Sequence, residues 1–358
     1  MSLFPVDDYA NILRNARPLI DVRSPVEFRR GAVPGAVNLP LLTDDERDAV
    51  GKTYKAKGHQ AAVVLGHELV GGDTKASRVA AWRDFAVKHP EALITCWRGG
   101  LRSQMAQAWL AGVGIDLPRI AGGFKALRHF CLDTIQTAGD TRRFVVVGGR
   151  TGSGKTRVVQ AAGAHVDLEA LANHRGSAFG GLPTPQPAPV TFENALAVAL
   201  LRLPPDEPVA VEDESRTIGR LAIPGEMYNA LQRAPIVQLD VDDTVRVDNI
   251  YREYVVDAEN PETHLTSALS RIERRLGGVR YRELAALMDD AFRADASGRG
   301  GAHRLWIRRL LHYYYDPMYD YQLAGKKDRI VMRGTADEVL DYLRDWRRVG
   351  DGLVPSRS

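Results

Sequence analysis

A chain of 358 residues is longer than one ordinary core supports and implies two domains. With 44% hydrophobic and 26% charged residues, no apolar run near the about 18 residues of a membrane span and no basic, apolar leader, the composition argues against a membrane or exported protein and for the cytoplasm. The net charge of +3 does not by itself mark a polyanion binder, and two cysteines, Cys96 and Cys131, argue against a disulfide framework.

Residues 1–138 read as a first domain. Pro18 to Val22 has the apolar run of a buried strand. Ser24-Pro-Val-Glu then has the cap, the N-terminal proline and the third-position acid of a helix start. Asp21 and Arg23 either orient a neighbouring loop or simply pair with each other. A polar segment over about 43–70, with Lys52, Lys55, Lys57 and His59, is too long for a plain connection and reads as a helical insertion, most simply a solvated one.

The pivotal stretch runs from Leu93 to Ser103. Ala92 to Thr95 forms a buried strand, and a helix is expected over Ser103 to Leu110, ended by Gly112. Cys96 therefore stands at a strand-to-helix turn. Gly99 and Gly100 permit the tight geometry in which backbone N–H groups converge on an anion beside a helix N-terminus. That field, with Arg98 and Arg102, is expected to make Cys96 a reactive thiolate, rather than the small buried hydrophobe that most free cysteines are. The expected anion loop comprises Trp97, Arg98, Gly99, Gly100, Leu101, Arg102 and Ser103. Beyond it, Arg119 to Phe124 reads as a closing strand and turn. Phe124, Leu127, Cys131 and Ile135 share one helix face, which makes Cys131 a core residue.

After a linker at 139–143, a second domain is expected over 144–350, followed by a tail at 351–358. Phe144 to Val147 is a β-branched run. Gly149-Arg150-Thr151-Gly152-Ser153-Gly154-Lys155-Thr156 satisfies G-x-x-x-x-G-K-[ST] in full between a strand and a helix. Its glycines let N–H groups wrap a diphosphate, Lys155 adds a charge, and the Thr156 hydroxyl is a candidate Mg2+ ligand. The motif identifies a diphosphate, not whose: ATP and other diphosphates remain open. Strands expected near 165–168, 209–211, 236–239 and 330–332 alternate with helices and imply a parallel sheet, with ligands beyond the strand C-terminal ends.

One of Glu212, Asp213 and Glu214, at such an end, is expected to support the metal, and His174, Arg175 and Ser177 are candidate substrate contacts. The segment from Gly180 to Pro189 is expected to be mobile. A helix opened by Asn260-Pro261 and ended at Gly277 belongs to an arginine-rich region over about 260–310, where Arg271, Arg274, Arg275, Arg280 and Arg282 are candidate RNA contacts. Tyrosines between Tyr313 and Tyr321 stack on bases or pack in a core.

Two resemblances bear on the cysteine. The Cys-x5-Arg-Ser spacing is similar to that of tyrosine-type phosphatases, although Thr95 stands where their histidine would. Leu19-Ile-Asp-Val-Arg-Ser-Pro-Val-Glu-Phe28 and Gly31-Ala-Val-Pro-Gly-Ala-Val-Asn-Leu-Pro40 resemble the signatures of rhodanese-like domains. The loop has one residue more than the usual sulfur-transfer loop, which fits a tetrahedral oxyanion and so a phosphate-bearing donor. The expected fold is α/β, an N-terminal rhodanese-like domain plus a C-terminal, kinase-like phosphate-loop domain with helical additions.

With C-W-R-G-G-L-R-S, G-R-T-G-S-G-K-T and H-R-G-S-A-F-G in these positions, the chain resembles the bacterial tRNA 2-selenouridine synthases over both domains. The resemblance implies conversion of wobble 2-thiouridine to 2-selenouridine with selenophosphate, S-geranylation from geranyl diphosphate, Cys96 as the selenium-handling thiol and tRNA as partner. The alternatives are a rhodanese-related phosphatase coupled to a kinase-like domain, and a nucleotide-gated RNA-binding protein.

Overall fold

The structure, a computed structural model, describes residues 6–296 and 301–349; the tail at 351–358 lies outside these. Two compact units emerge, one of Met1–Gln136 with Pro187–Arg202, the other of Thr137–Gln186 with Leu203–Ser358.

In the first unit, parallel strands β1 (Leu19–Asp21), β2 (Ala36–Asn38) and β3 (Leu93–Thr95) lie in the order β2-β1-β3. Parallel bridges Ile94–Arg119 and Val6–Ile120 extend the pairing. β1 and β3 are buried throughout, as continuous apolar runs in a parallel sheet should be. At the end of β1, Asp21 and Arg23 do pair, 2.7 Å apart and fully buried.

The expected insertion is helical over Asp44–Leu69, capped by the reciprocal Thr43 and Glu46 bonds of 2.7 and 3.2 Å. It is not one straight rod. Sixteen helical steps would set Val50 and Gly66 about 24 Å apart, yet Val50 Cγ2 lies 3.8 Å from where a Cβ on Gly66 would stand. The chain doubles back at Gly58, whose φ of 82° a side chain would resist. The helix Gly72–Lys88 follows and buries Trp82, whose Nε1 donates to Leu39 O at 2.9 Å.

The helix Pro189–Arg202, assigned by sequence position to the second domain, belongs instead to this first unit. Asn194, fully buried, donates to Ala32 O at 2.9 Å, and Ala32 N donates to Thr191 Oγ1 at 3.1 Å. Arg128 pairs with Glu193. Buried Phe192, Leu196 and Leu200 supply the apolar side.

The second unit carries β4 (Phe144–Gly149), β5 (His165–Val166), β6 (Val209–Glu212), a small antiparallel hairpin of β7 (Thr217–Ile218) and β8 (Leu221–Ala222), β9 (Ile236–Leu239) and β10 (Ile330–Gly334). The main sheet is parallel, in the order β10-β9-β4-β6-β5, with the phosphate-loop strand β4 in the middle. Gly180 to Pro189 is not free: Asn173 Nδ2 donates to Thr184 O at 3.0 Å, and Gln186 Nε2 donates to Ala172 O and Ile218 O, both at 3.0 Å. Side-chain amides thus tie the segment to Asn173, Ala172 and Ile218.

The helix expected over 261–276 breaks at Ile272 into Pro261–Arg271 and Glu273–Leu276. Leu265, Leu269, Ile272 and Leu276 still face one core, shared with Trp306, Tyr314 and Tyr315. Of the tyrosines weighed for base stacking, Tyr314 and Tyr315 are therefore packing residues, while Tyr321 is 84% exposed.

Candidate functional site

Cys96 directly follows β3, and the helix beyond the loop starts at Leu101, two residues before the expected Ser103, with Gly100 as its cap. The Cys96 Sγ sits 3.3 Å from Ser103 Oγ, which donates to Gly100 O at 3.0 Å. Cys96 is only 3% exposed. Trp97 and Arg98 are exposed, Gly99 is buried with φ 65°, and the first-turn N–H groups of the helix Leu101–Ala111 open on the loop.

A second segment, which the sequence reading treats only as a closing strand and turn, builds the back of this loop. Phe124 N donates to Cys96 O at 2.8 Å, Lys125 N to Trp97 O at 3.0 Å, and Arg119 Nη1 to Gly99 O at 2.8 Å. A Cβ on Gly123 would stand 2.3 Å from Cys96 O and 2.4 Å from Gly99 N. The Arg23 guanidinium lies 3.7 Å from the Phe124 ring centroid, so the Asp21 pair reaches the loop through that ring. Adjacent glycines after a short strand were the available signal.

Arg102 is not free to serve the cysteine alone. Both its terminal nitrogens bond the Glu27 carboxylate, at 2.5 and 3.2 Å. Burial opposes both charges, but the bond to Arg102 and the Ser24 N–H hold Glu27 below its ordinary range, and Glu27 holds Arg102 above its own.

In the second unit the loop after β4 has left-handed Gly152 and Gly154, at φ 83° and 79°, and leads into the helix Lys155–Ala161. Lys155 Nζ donates to Gly149 O at 3.0 Å, and Arg150 pairs with Asp320 at 2.8 Å. Beside it, carboxylate oxygens of Glu169, Glu212 and Glu214 lie within 4.8 Å of one another. Asp213 is absent from this group because Lys326 holds it at 2.7 Å. Its place goes to Glu169, which follows β5 and which the sequence reading passed over; an acid three residues past a strand end was the only cue.

Burial, then the charges of Glu212 and Glu214, push Glu169 up to about 9. Burial, only partly offset by Lys155, raises Glu212 to about 7 and Glu214 also upward. Glu212 is 2% exposed, its Oε1 lacks a partner, and the Thr156 hydroxyl bonds this side chain. Such an oxygen-only set, short of a cation, fits Mg2+.

Around it, His174 has a buried Nδ1 without a partner, and burial followed by the charges of Arg271 and His264 lowers its pKa. Arg175 pairs with Glu253 at 2.9 Å, with its guanidinium over Tyr254 at 5.0 Å. Ser177 Oγ lies 3.3 Å from Tyr254 Oη and accepts from Phe179 N at 3.1 Å. Among the candidate RNA contacts, Arg271 donates to Ala178 O at 3.2 Å, Arg275 to Tyr314 Oη at 3.1 Å, and Arg280 lies 4.9 Å over Tyr313. Arg274 and Arg282 are exposed. No helix among the described residues is long and apolar enough to cross a membrane.

A cysteine-bearing loop on a short parallel sheet and a phosphate loop on a second one define a rhodanese-like domain joined to a phosphate-loop domain. Family models agree: the rhodanese-like domain matches residues 6–129, and the tRNA 2-selenouridine synthase AAA domain matches residues 142–349. Similar proteins described as tRNA 2-selenouridine synthase come from Azotobacter vinelandii, 48% identical over 94% of this chain and 96% of the relative, and Bordetella bronchiseptica, 49% identical over 94% and 96%. A third, from Hahella chejuensis, is 45% identical over 94% and 93%. The chain belongs to the tRNA 2-selenouridine synthase family.

Proposed function

We propose that this enzyme converts wobble 2-thiouridine of tRNA to 2-selenouridine in the cytoplasm, with selenophosphate as selenium donor, through an S-geranyl intermediate made from geranyl diphosphate. The observation that carries this reading is the presence of two anion-binding loops of different chemistry. One holds a thiol; the other holds a lysine, a threonine hydroxyl and three carboxyls.

At the phosphate loop, the thiouridine sulfur attacks the first carbon of the prenyl donor, a carbon–sulfur bond forms, and the carbon–oxygen bond to diphosphate breaks. Backbone N–H groups and Lys155 receive the departing charge. Mg2+, held by Thr156 and one or more of Glu169, Glu212 and Glu214, would add charge neutralisation there. Alkylation converts the sulfur into a leaving group, so that selenium bonds the uridine carbon as the geranyl thiol departs.

At the other loop, the Trp97–Arg102 backbone binds the tetrahedral donor and the Cys96 thiolate attacks its phosphorus: a sulfur–phosphorus bond forms, the phosphorus–selenium bond breaks, hydroselenide departs to the geranylated uridine, and water then cleaves the sulfur–phosphorus bond to give phosphate and the free thiol. Cys96 is 3% exposed and Arg102 is paired with Glu27, so an incoming anion competes with that carboxylate for the Arg102 charge. Arg274 and Arg282, both exposed, would meet RNA phosphates in this reading.

The test is incubation with thiolated tRNA, geranyl diphosphate and selenophosphate, followed by nucleoside mass analysis. Lys155→Ala should lose geranylation yet exchange selenium on geranylated RNA, and Cys96→Ala should do the reverse. The opposite pattern would sink the assignment.

A further inference from the structure

The helical hairpin Asp44–Leu69 encloses a cleft of about 530 Å3, a size ordinary for small-ligand sites. Its floor and walls are hydrocarbon: Leu41, Leu42, Val50, Ala62, Val70 and Met105. The turn at Gly58 creates it, because a straight helix would have no second wall. Leu101, 45% exposed, and Tyr54, 56% exposed, leave apolar surface at its edge. By contrast, the apolar crevice beside Thr151 leaves about 20 Å3, room for little more than a single water.

Two features specify the occupant. The cleft runs into the cysteine loop, since Leu101 and Arg102 line both. Its rim is basic on balance: Arg47, Lys52, Lys55, His59 and His67 outnumber Glu27 and Asp48, although Lys52 pairs with Asp48 at 2.7 Å. An apolar chain reaching the cysteine loop, tethered to a polyanion, matches hydrocarbon floor and cationic rim together.

We propose that this cleft receives the alkyl chain on the uridine sulfur of tRNA while selenium exchange takes place at the Cys96 loop. The proposal rests on the S-geranyl intermediate of the preceding reading and gives that intermediate a seat. The chain leaves with the thiol it is bonded to, so its burial favours alkylated over unalkylated RNA as the exchange substrate.

The test compares selenium exchange on anticodon stem-loops carrying S-methyl or S-geranyl thiouridine. The two thiols are similar leaving groups, so the difference falls in KM. Each buried methylene tightens binding about fourfold, and KM is expected to fall by about tenfold or more from S-methyl to S-geranyl. Val63→Trp, which fills the cleft from a half-buried wall position, should erase that preference. It should leave exchange on the S-methyl substrate, which reports folding, and the KM for geranyl diphosphate in geranylation unchanged.

Equal KM values in the wild type overturn the cleft while leaving the S-geranyl pathway intact. A preserved preference in Val63→Trp also overturns it, as does a raised KM for geranyl diphosphate, which would make the cleft a donor site. Exchange on neither substrate overturns the pathway and the cleft together. Should Val63→Trp fail to fold, the wild-type KM ratio still decides.

Discussion

Replacing Glu212 by Gln should make the phosphate-loop unit more stable above neutrality and leave it nearly unchanged in acid. Glu212 is 2% exposed and burial carries its pKa from 4.5 to about 7. A folded-state value above the unfolded one means that the native chain binds the proton more tightly, so this group favours folding least at high pH. The penalty is absent below about 4.5, grows through the interval up to about 7, and is complete above it. That interval corresponds to roughly 3 kcal/mol, or roughly 6–12 °C in the melting temperature of a unit of this size.

Thermal unfolding of wild type and Glu212→Gln at several values between pH 4.5 and 8.5 reads it directly, with hydrogen exchange at β4 and β6 assigning the transition. The two curves should converge at the acid end and separate with rising pH. Mg2+ at pH 8 should stabilise the wild type more than the variant, because the carboxylate that the cation relieves is missing in the latter. Parallel curves at every pH would refute the account of Glu212 as a buried acid crowded by Glu214.

Two further outcomes are open to measurement. Gly123→Ala forces a Cβ to within 2.3 Å of Cys96 O at a φ of 63°; it should cost about 1–3 kcal/mol in backbone strain alone, speed amide exchange at Phe124 and Lys125, and abolish selenium exchange while sparing geranylation. Burial pushes the Cys131 thiol up to about 12, so iodoacetamide on the native protein at pH 8 should leave it unmodified, and labelling of Cys131 in the folded chain would contradict its place in the core.

Much of the fold is legible because buried parallel strands announce themselves as short β-branched runs, and β4, β6, β9 and β10 appear within a few residues of where such runs lie. Motif glycines are equally readable. What escapes is whatever depends on meetings across the sequence. Glu169 and Glu214 are 45 residues apart and join only once β5 and β6 pair. Lys326 captures Asp213 from still farther, and nothing local distinguishes Asp213 from its two neighbours. The hairpin at Gly58 was hidden because helical propensity on both sides reads as one element, while the reversal resides in one residue's backbone angle.

Pro189–Arg202 has a practical corollary for anyone dissecting this enzyme. Because that helix is stitched into a body otherwise made by the first 136 residues, the polypeptide passes from one body to the other three times. A clone stopped at the apparent boundary would strip away the cover that Val190, Thr191 and Asn194 give Gly31 and Ala32. A truncated fragment without activity would report that missing patch rather than any dependence of sulfur chemistry on the phosphate loop.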